Sequence, residues 1–76
     1  MTSASGVGRR SDRLIVSVFD GIWRVRWENG EEVHSSRIES EAWERAKWTA
    51  ERDRAEALLI INGGEVRFRA DFRDDA

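Results

Sequence analysis

The sequence predicts an α+β fold: a two-layer ββαββ domain whose four-stranded, mainly antiparallel sheet carries one helix on one face. Three observations carry that reading. Alternating apolar runs flank Asp20-Gly21, and a second pair of runs flanks Asn62-Gly63-Gly64. Between them lies the Gly- and Pro-free segment from Glu39 to Arg54, dense in Ala, Glu and Arg. Asp-Gly and Asn-Gly are strong hairpin signals because a type I′ turn needs positive φ at both central residues.

The first turn fixes a register. With Asp20-Gly21 as a two-residue loop, Phe19 pairs with Ile22, Val18 with Trp23, Val16 with Val25 and Leu14 with Trp27. One face then carries Leu14, Val16, Val18, Trp23, Val25 and Trp27 and belongs to the core. The other carries Ile15, Ser17, Phe19, Ile22, Arg24 and Arg26.

The connection from Glu28 to Ser36 is polar and reads as a loop. Ser36 and Glu39 have capping-box spacing, with Ser40 as an alternative cap. Along the helix, Ile38, Ala42, Ala46, Thr49 and Ala50 recur as one narrow apolar stripe. Their small side chains let the helix lie close to a sheet face that already holds Trp23 and Trp27. Trp43 sits at the margin of this stripe, and Trp48 points roughly 150° away from its centre.

In the second hairpin, Val66, Phe68, Ala70 and Phe72 share one face, and Glu65, Arg67, Arg69 and Asp71 share the other. A two-residue loop puts Leu59 and Ile61 with Val66, and Leu58 and Ile60 with Arg67; a three-residue loop reverses that parity. The first and third strands are apolar on both faces, whereas the second and fourth alternate with Arg. Central strands tolerate two apolar faces, so the order 2-1-3-4, all antiparallel, is expected.

These residues resemble a known family. Gly21 with Trp23 and Val25, then Ala42, Ala46 and Ala50, then Leu59 to Ile61, Gly64, Val66 and Arg67 resemble the small bacterial domain of unknown function 2188 over roughly residues 14 to 70. The resemblance implies a ββαββ fold. That family has no established activity, so the resemblance implies no catalytic residues.

Length and composition bound the rest. The chain has 76 residues, enough for one domain with one modest core. Residues 1–12 read as a disordered Ser/Gly-rich tail, 13–72 as the domain and 73–76 as a flexible acidic end. Without Cys there is neither a disulfide framework nor a thiolate metal site. The net charge of −2 excludes a globally basic, nucleic-acid-like surface, so any basic patch must be local. The longest apolar run, Leu58 to Ile61, is far too short to span a membrane, and the first residues lack a signal-peptide core. A cytoplasmic location is the expectation.

No motif supports catalysis, a cofactor or a metal. Gly6-Val7-Gly8 has no strand before it and no Lys-Ser or Lys-Thr after it, as a phosphate loop requires. Glu28, Glu31 and Glu32 lack the ordered ligand series of a calcium loop and read as solvated. His34 beside Ser35 and Ser36 forms no triad and reads as an exposed loop residue.

One surface stands out. A single helix covers one side of the sheet, leaving Ile15, Phe19, Ile22, Leu58 and Ile60 on the other, bordered by Arg24, Arg26, Arg67 and Arg69. An exposed apolar patch of this kind marks a contact, here a homodimer or a protein partner. The alternative is weak single-stranded nucleic-acid binding, with Phe19 stacking a base and the Arg holding phosphates. The plainer reading is that these Arg pair with Glu28, Glu65 and Asp71 and cover apolar surface. Trp48 joins the candidate contact residues as an exposed indole on a charged helix, unless it merely packs on the stems of Glu44, Arg45 and Arg52.

Overall fold

A computed structural model describes residues 12–73. The elements run β1 (Arg13–Phe19), β2 (Ile22–Trp27), β3 (Glu32–Ser36), α1 (Glu39–Asp53), β4 (Glu56–Ile61) and β5 (Glu65–Asp71). The strands form one five-stranded sheet in the order β3-β2-β1-β4-β5, with α1 against one face. Nearly all of the expected tails, and Gly6-Val7-Gly8 with them, fall outside the described residues.

The first hairpin has the predicted register throughout, from Leu14 opposite Trp27 to Phe19 opposite Ile22. Asp20 and Gly21 both take positive φ, 55° and 77°, as the type I′ turn requires. The expected order of four strands is also found, as β2-β1-β4-β5.

Two expectations fail together. The connection after Trp27 is not wholly a loop: Glu32–Ser36 forms β3, which pairs antiparallel with β2 and makes the sheet five-stranded. Each strand or helix reverses the chain direction, so this extra pass turns β4 around. β4 therefore runs parallel to β1, with Leu14 opposite Ala57 and Val16 opposite Leu59, rather than antiparallel. The crossover from β1 to β4 through β2, β3 and α1 supplies the long connection that a parallel pair needs.

The core lies between α1 and the inner sheet face. Leu14, Val16, Val25, Trp27, Ala57 and Leu59 come from the sheet, and Ala42, Ala46 and Ala50 from the helix, all buried, with Thr49 beside them. Ile38, expected to head the stripe, is exposed and serves as the helix N-cap. Trp27 is the buried indole; Trp23 is only half-buried against this cluster. Trp23 pairs with Ser36, three residues before the helix begins, so only the first turn of α1 can reach over it.

The helix ends depart from the predicted capping box. The Ser36 hydroxyl accepts from the Ile38 N–H at 3.0 Å and donates to the Glu41 carboxylate, so Glu41 rather than Glu39 is its partner. At the other end Arg54 adopts the left-handed conformation. The Ala55 N–H reaches the Ala50 carbonyl at 2.8 Å and the Arg54 N–H the Glu51 carbonyl at 3.4 Å, the two bonds of a Schellman motif.

The second hairpin combines both of its predicted alternatives. Asn62 and Gly63 have φ of 49° and 78°, and the Gly64 N–H donates to the Ile61 carbonyl at 3.0 Å. Strand pairing then starts with Ile61 opposite Glu65 and Ile60 opposite Val66, and a bulge restores Leu59 opposite Phe68. Arg67 is the extra residue in that bulge. Near the turn the parity is thus reversed, and further along it is as predicted.

Candidate interaction surface on the open sheet face

The sheet face away from α1 is assembled by strand pairing alone. Ile15 of β1 lies opposite Arg26 of β2 and Leu58 of β4, Phe19 lies opposite Ile22, and Leu58 lies opposite Arg69 of β5. Directly paired residues share a face, so Ile15, Leu58, Arg26 and Arg69 form one row across the sheet. Ile60 follows Leu58 two residues on, and its opposite number is Val66. The alternation puts Val66 on one face with Phe68; the bulge moves it to the open face instead, where it is 49% exposed.

The predicted apolar patch is therefore brought together. Ile15, Ile22, Leu58 and Ile60 are half-buried among their neighbours, and Phe19, at the hairpin tip, is 79% exposed. No element of the described residues packs over this face.

The arginines divide. Arg24 and Arg26 border the patch and both face Glu32 of β3, at 3.4 Å and 4.0 Å. Arg69 borders it on the other side and reaches Glu56 and Asp71. Arg67 does not belong to this face. Its bulge position turns it to the helix side, where its guanidinium lies 3.4 Å from Glu39 and over the Phe68 ring. Trp48 is also elsewhere: it is 54% exposed on α1, with the guanidinium groups of Arg45 and Arg52 stacked 5.6 Å and 4.9 Å from its ring centre. Two of the three helix neighbours named by the plainer reading, Arg45 and Arg52, thus lie over its ring, through their guanidinium groups.

One end of the open face holds a cluster that sequence reasoning missed. Glu56, the first residue of β4, is only 3% exposed and accepts from Arg13 Nε at 3.0 Å and from Arg69 Nε. Arg73 lies 3.4 Å away and also binds Asp71 through two 2.9 Å hydrogen bonds. Arg13 in turn reaches Glu28 at 3.2 Å. The Glu56 N–H donates to the Asp12 carbonyl at 2.8 Å, so the first and last described residues, Asp12 and Arg73, are both tied to this point.

Burial pushes the Glu56 carboxyl up, but the hydrogen bonds from Arg69 and Arg13 and the nearby positive charges outweigh it. The net result lies below the usual carboxylate range. The side-chain hydrogen bond from Arg73 holds Asp71 at about 2. The same partnership raises Arg73, and the Glu56 hydrogen bond raises Arg13. The cluster spreads three guanidinium groups over opposite charges already in place.

The other weighed residues settle as follows. Glu28 pairs with Arg13 and Glu32 with Arg24, and among the described residues no group of three or more His, Asp and Glu is placed to hold a metal ion. His34 is not an exposed loop residue. It sits in β3 opposite Val25, half-buried, with its Nε2 enclosed and without a hydrogen-bond partner among the described residues. It lines a shallow cleft of about 460 Å³ with Glu41, Glu44, Arg45 and Trp48. No described helix is long and apolar enough to cross a membrane. Comparison with protein-family models, with curated proteins and with solved structures finds nothing that matches this chain.

Proposed function

We propose that this chain is a small, non-enzymatic, cytoplasmic interaction domain that binds a second copy of itself, or another protein, through the open sheet face. The observation that carries this reading is the uncovered row of Ile15, Phe19, Ile22, Leu58 and Ile60, joined by Val66, on the side of the sheet opposite α1. Burying ~500 Å² of apolar surface there releases about 12 kcal/mol gross at ~25 cal/mol per Å². Association costs of comparable size reduce this to an ordinary reversible affinity.

The charged border suits a protein surface better than a nucleic acid. Arg24, Arg26 and Arg69 already face Glu32, Glu56 and Asp71, and Arg67 has left the face, so few positive charges remain to hold phosphates. The resemblance to the domain of unknown function 2188 adds nothing to this reading, since that family has no established activity. Sedimentation of the wild-type chain and of Phe19→Glu at low micromolar concentration tests the self-association: association lost in the variant supports the open face, and a monomer in both cases refutes a second copy as its occupant.

A further inference from the structure

Among the described residues the sheet ends on one side at β5, whose outer edge no other strand covers. The Phe72 N–H donates to the Ala55 carbonyl at 3.0 Å, so Phe72 turns its backbone groups toward the neighbouring strand segment. Backbone direction alternates along an antiparallel pair. Ala70 and Phe68 therefore also point to β4, while Arg69 and Asp71 turn their N–H and C=O groups outward. The bulge at Arg67 lies before this stretch, leaving Phe68 to Phe72 regular. The opposite edge, β3, is shorter, and its own bulge, at Val33 near its start, leaves only His34 to Ser36 regular.

Beside the β5 edge, α1 and β5 enclose a groove of about 280 Å³ lined by Glu39, Ser40, Trp43, Glu44, Arg67 and Phe68. Phe68 is 42% exposed, with its ring centre 5.6 Å from that of Trp43. An incoming strand thus meets backbone donors and acceptors along the edge and an aromatic surface on the helix side.

The charges of β5 select the occupant. In an antiparallel pairing of β5 with itself, facing residues must lie on the same side of the sheet, so allowed registers differ by two residues. A two-fold axis at Arg69 sets Arg69 against Arg69 of the other copy, and an axis at Phe68 runs the pairing into the bulge at Arg67, where the ladder is broken. Like charges directly opposite are destabilising. An axis at Ala70 instead sets Arg69 against Asp71 twice, with the small Ala70 side chains meeting at the centre. In that register Arg69 and Asp71 are the residues whose backbone groups point outward, so each facing pair can exchange two hydrogen bonds. Phe72 of the second copy then falls beside Phe68 and Trp43.

We infer that a second copy of the chain adds antiparallel to β5 about a two-fold axis at Ala70, continuing the sheet from one copy into the next. This contact is separate from the open face and does not depend on it. It leaves both helices on one side and both open faces on the other. Its short overlap makes it the weaker contact, populated toward millimolar concentration.

The test uses the Phe19→Glu chain, in which the open face is disabled at a site far from β5. Between ~10 μM and ~1 mM, sedimentation should show conversion from monomer to dimer, and amide exchange at Arg69 and Asp71 should slow by at least about tenfold. Exchange along β3 should stay unchanged. A monomer at ~1 mM, or a dimer that leaves Arg69 and Asp71 exchange unaltered, overturns the inference. The open-face reading is judged separately, by the mass difference between wild type and Phe19→Glu at low concentration.

Discussion

Arg13 and Glu56 stand opposite each other on the parallel strands β1 and β4, and their side chains meet at 3.0 Å at one end of the open face. Glu56 is the nearly buried member, and Arg69 and Arg73 approach it from β5 and from the residues after it. The pair joins the start of β1 to the start of β4, 43 residues apart in sequence. It is the polar end-stop of an otherwise apolar face.

Replacing Glu56 by Gln should cost about 1–3 kcal/mol, because a buried charge partner is removed while the freed guanidinium groups can still reach water. The cost should also depend on pH. Glu56 and Asp71 both have lowered folded-state values, so their contribution is complete above the unfolded carboxylate range and is lost as pH falls through the folded values. For Asp71 that window runs from 3.8 down to about 2. Denaturant midpoints of the wild type should fall on acidification through this range. Those of Glu56→Gln should fall less, and equal slopes would show that the Glu56 carboxylate contributes nothing to the acid dependence.

The indoles should separate cleanly. Trp27→Ala removes a buried side chain beside Leu14 and Val25 and should cost about 3–5 kcal/mol. Trp48→Ala removes an exposed ring stacked by Arg45 and Arg52 and should cost under about 1 kcal/mol. Trp23→Ala should fall between them. Urea melts of the three variants give this order; a larger loss at Trp48 would contradict the helix phase.

The helix stripe has no spare room. Ala46 is fully buried against the sheet, and Ala46→Leu should destabilise by about 1–3 kcal/mol through overpacking. The same change at Glu51, on the exposed side of α1, should shift the melt by less than about 0.5 kcal/mol. Thermal melts of the two variants distinguish the faces.

Gly21 holds φ at 77° in the first turn, with nothing within 4 Å of an added Cβ. Gly21→Ala should therefore cost about 1–2 kcal/mol through backbone strain alone. Its loss should come without any change in the hairpin register, which cross-strand contacts between Val16 and Val25 would report by NMR.

These residues also mark how far sequence reasoning reached. The Asp20-Gly21 hairpin was legible because turn chemistry and alternation both specify one register. The helix stripe was legible at Ala42, Ala46, Thr49 and Ala50 because its spacing is strongly periodic, and it failed at Ile38, where the chain is still entering the helix. β3 was not legible: Glu-Val-His-Ser-Ser has little apolar alternation, and it becomes a strand because β2 offers it an edge. Missing that strand cost the direction of β4.

Within the candidate site, the patch residues on β1 and β4 followed from alternation. Arg67 and Val66 were misplaced because a single bulge reverses parity locally. Glu56 escaped notice because its importance depends on Arg13 and Arg73, which only the parallel pairing and the C-terminal turn bring near it. A charged residue between Ala55 and Ala57, at the head of an apolar strand, is the one local signal that points to it.

The most direct test of the account is the mass of the chain at low micromolar concentration by sedimentation equilibrium, for wild type and for Phe19→Glu. The account predicts self-association of the wild type and a monomer for the variant, with unchanged circular dichroism. A wild type that is strictly monomeric and indistinguishable from Phe19→Glu would contradict the claim that this domain self-associates through its open sheet face.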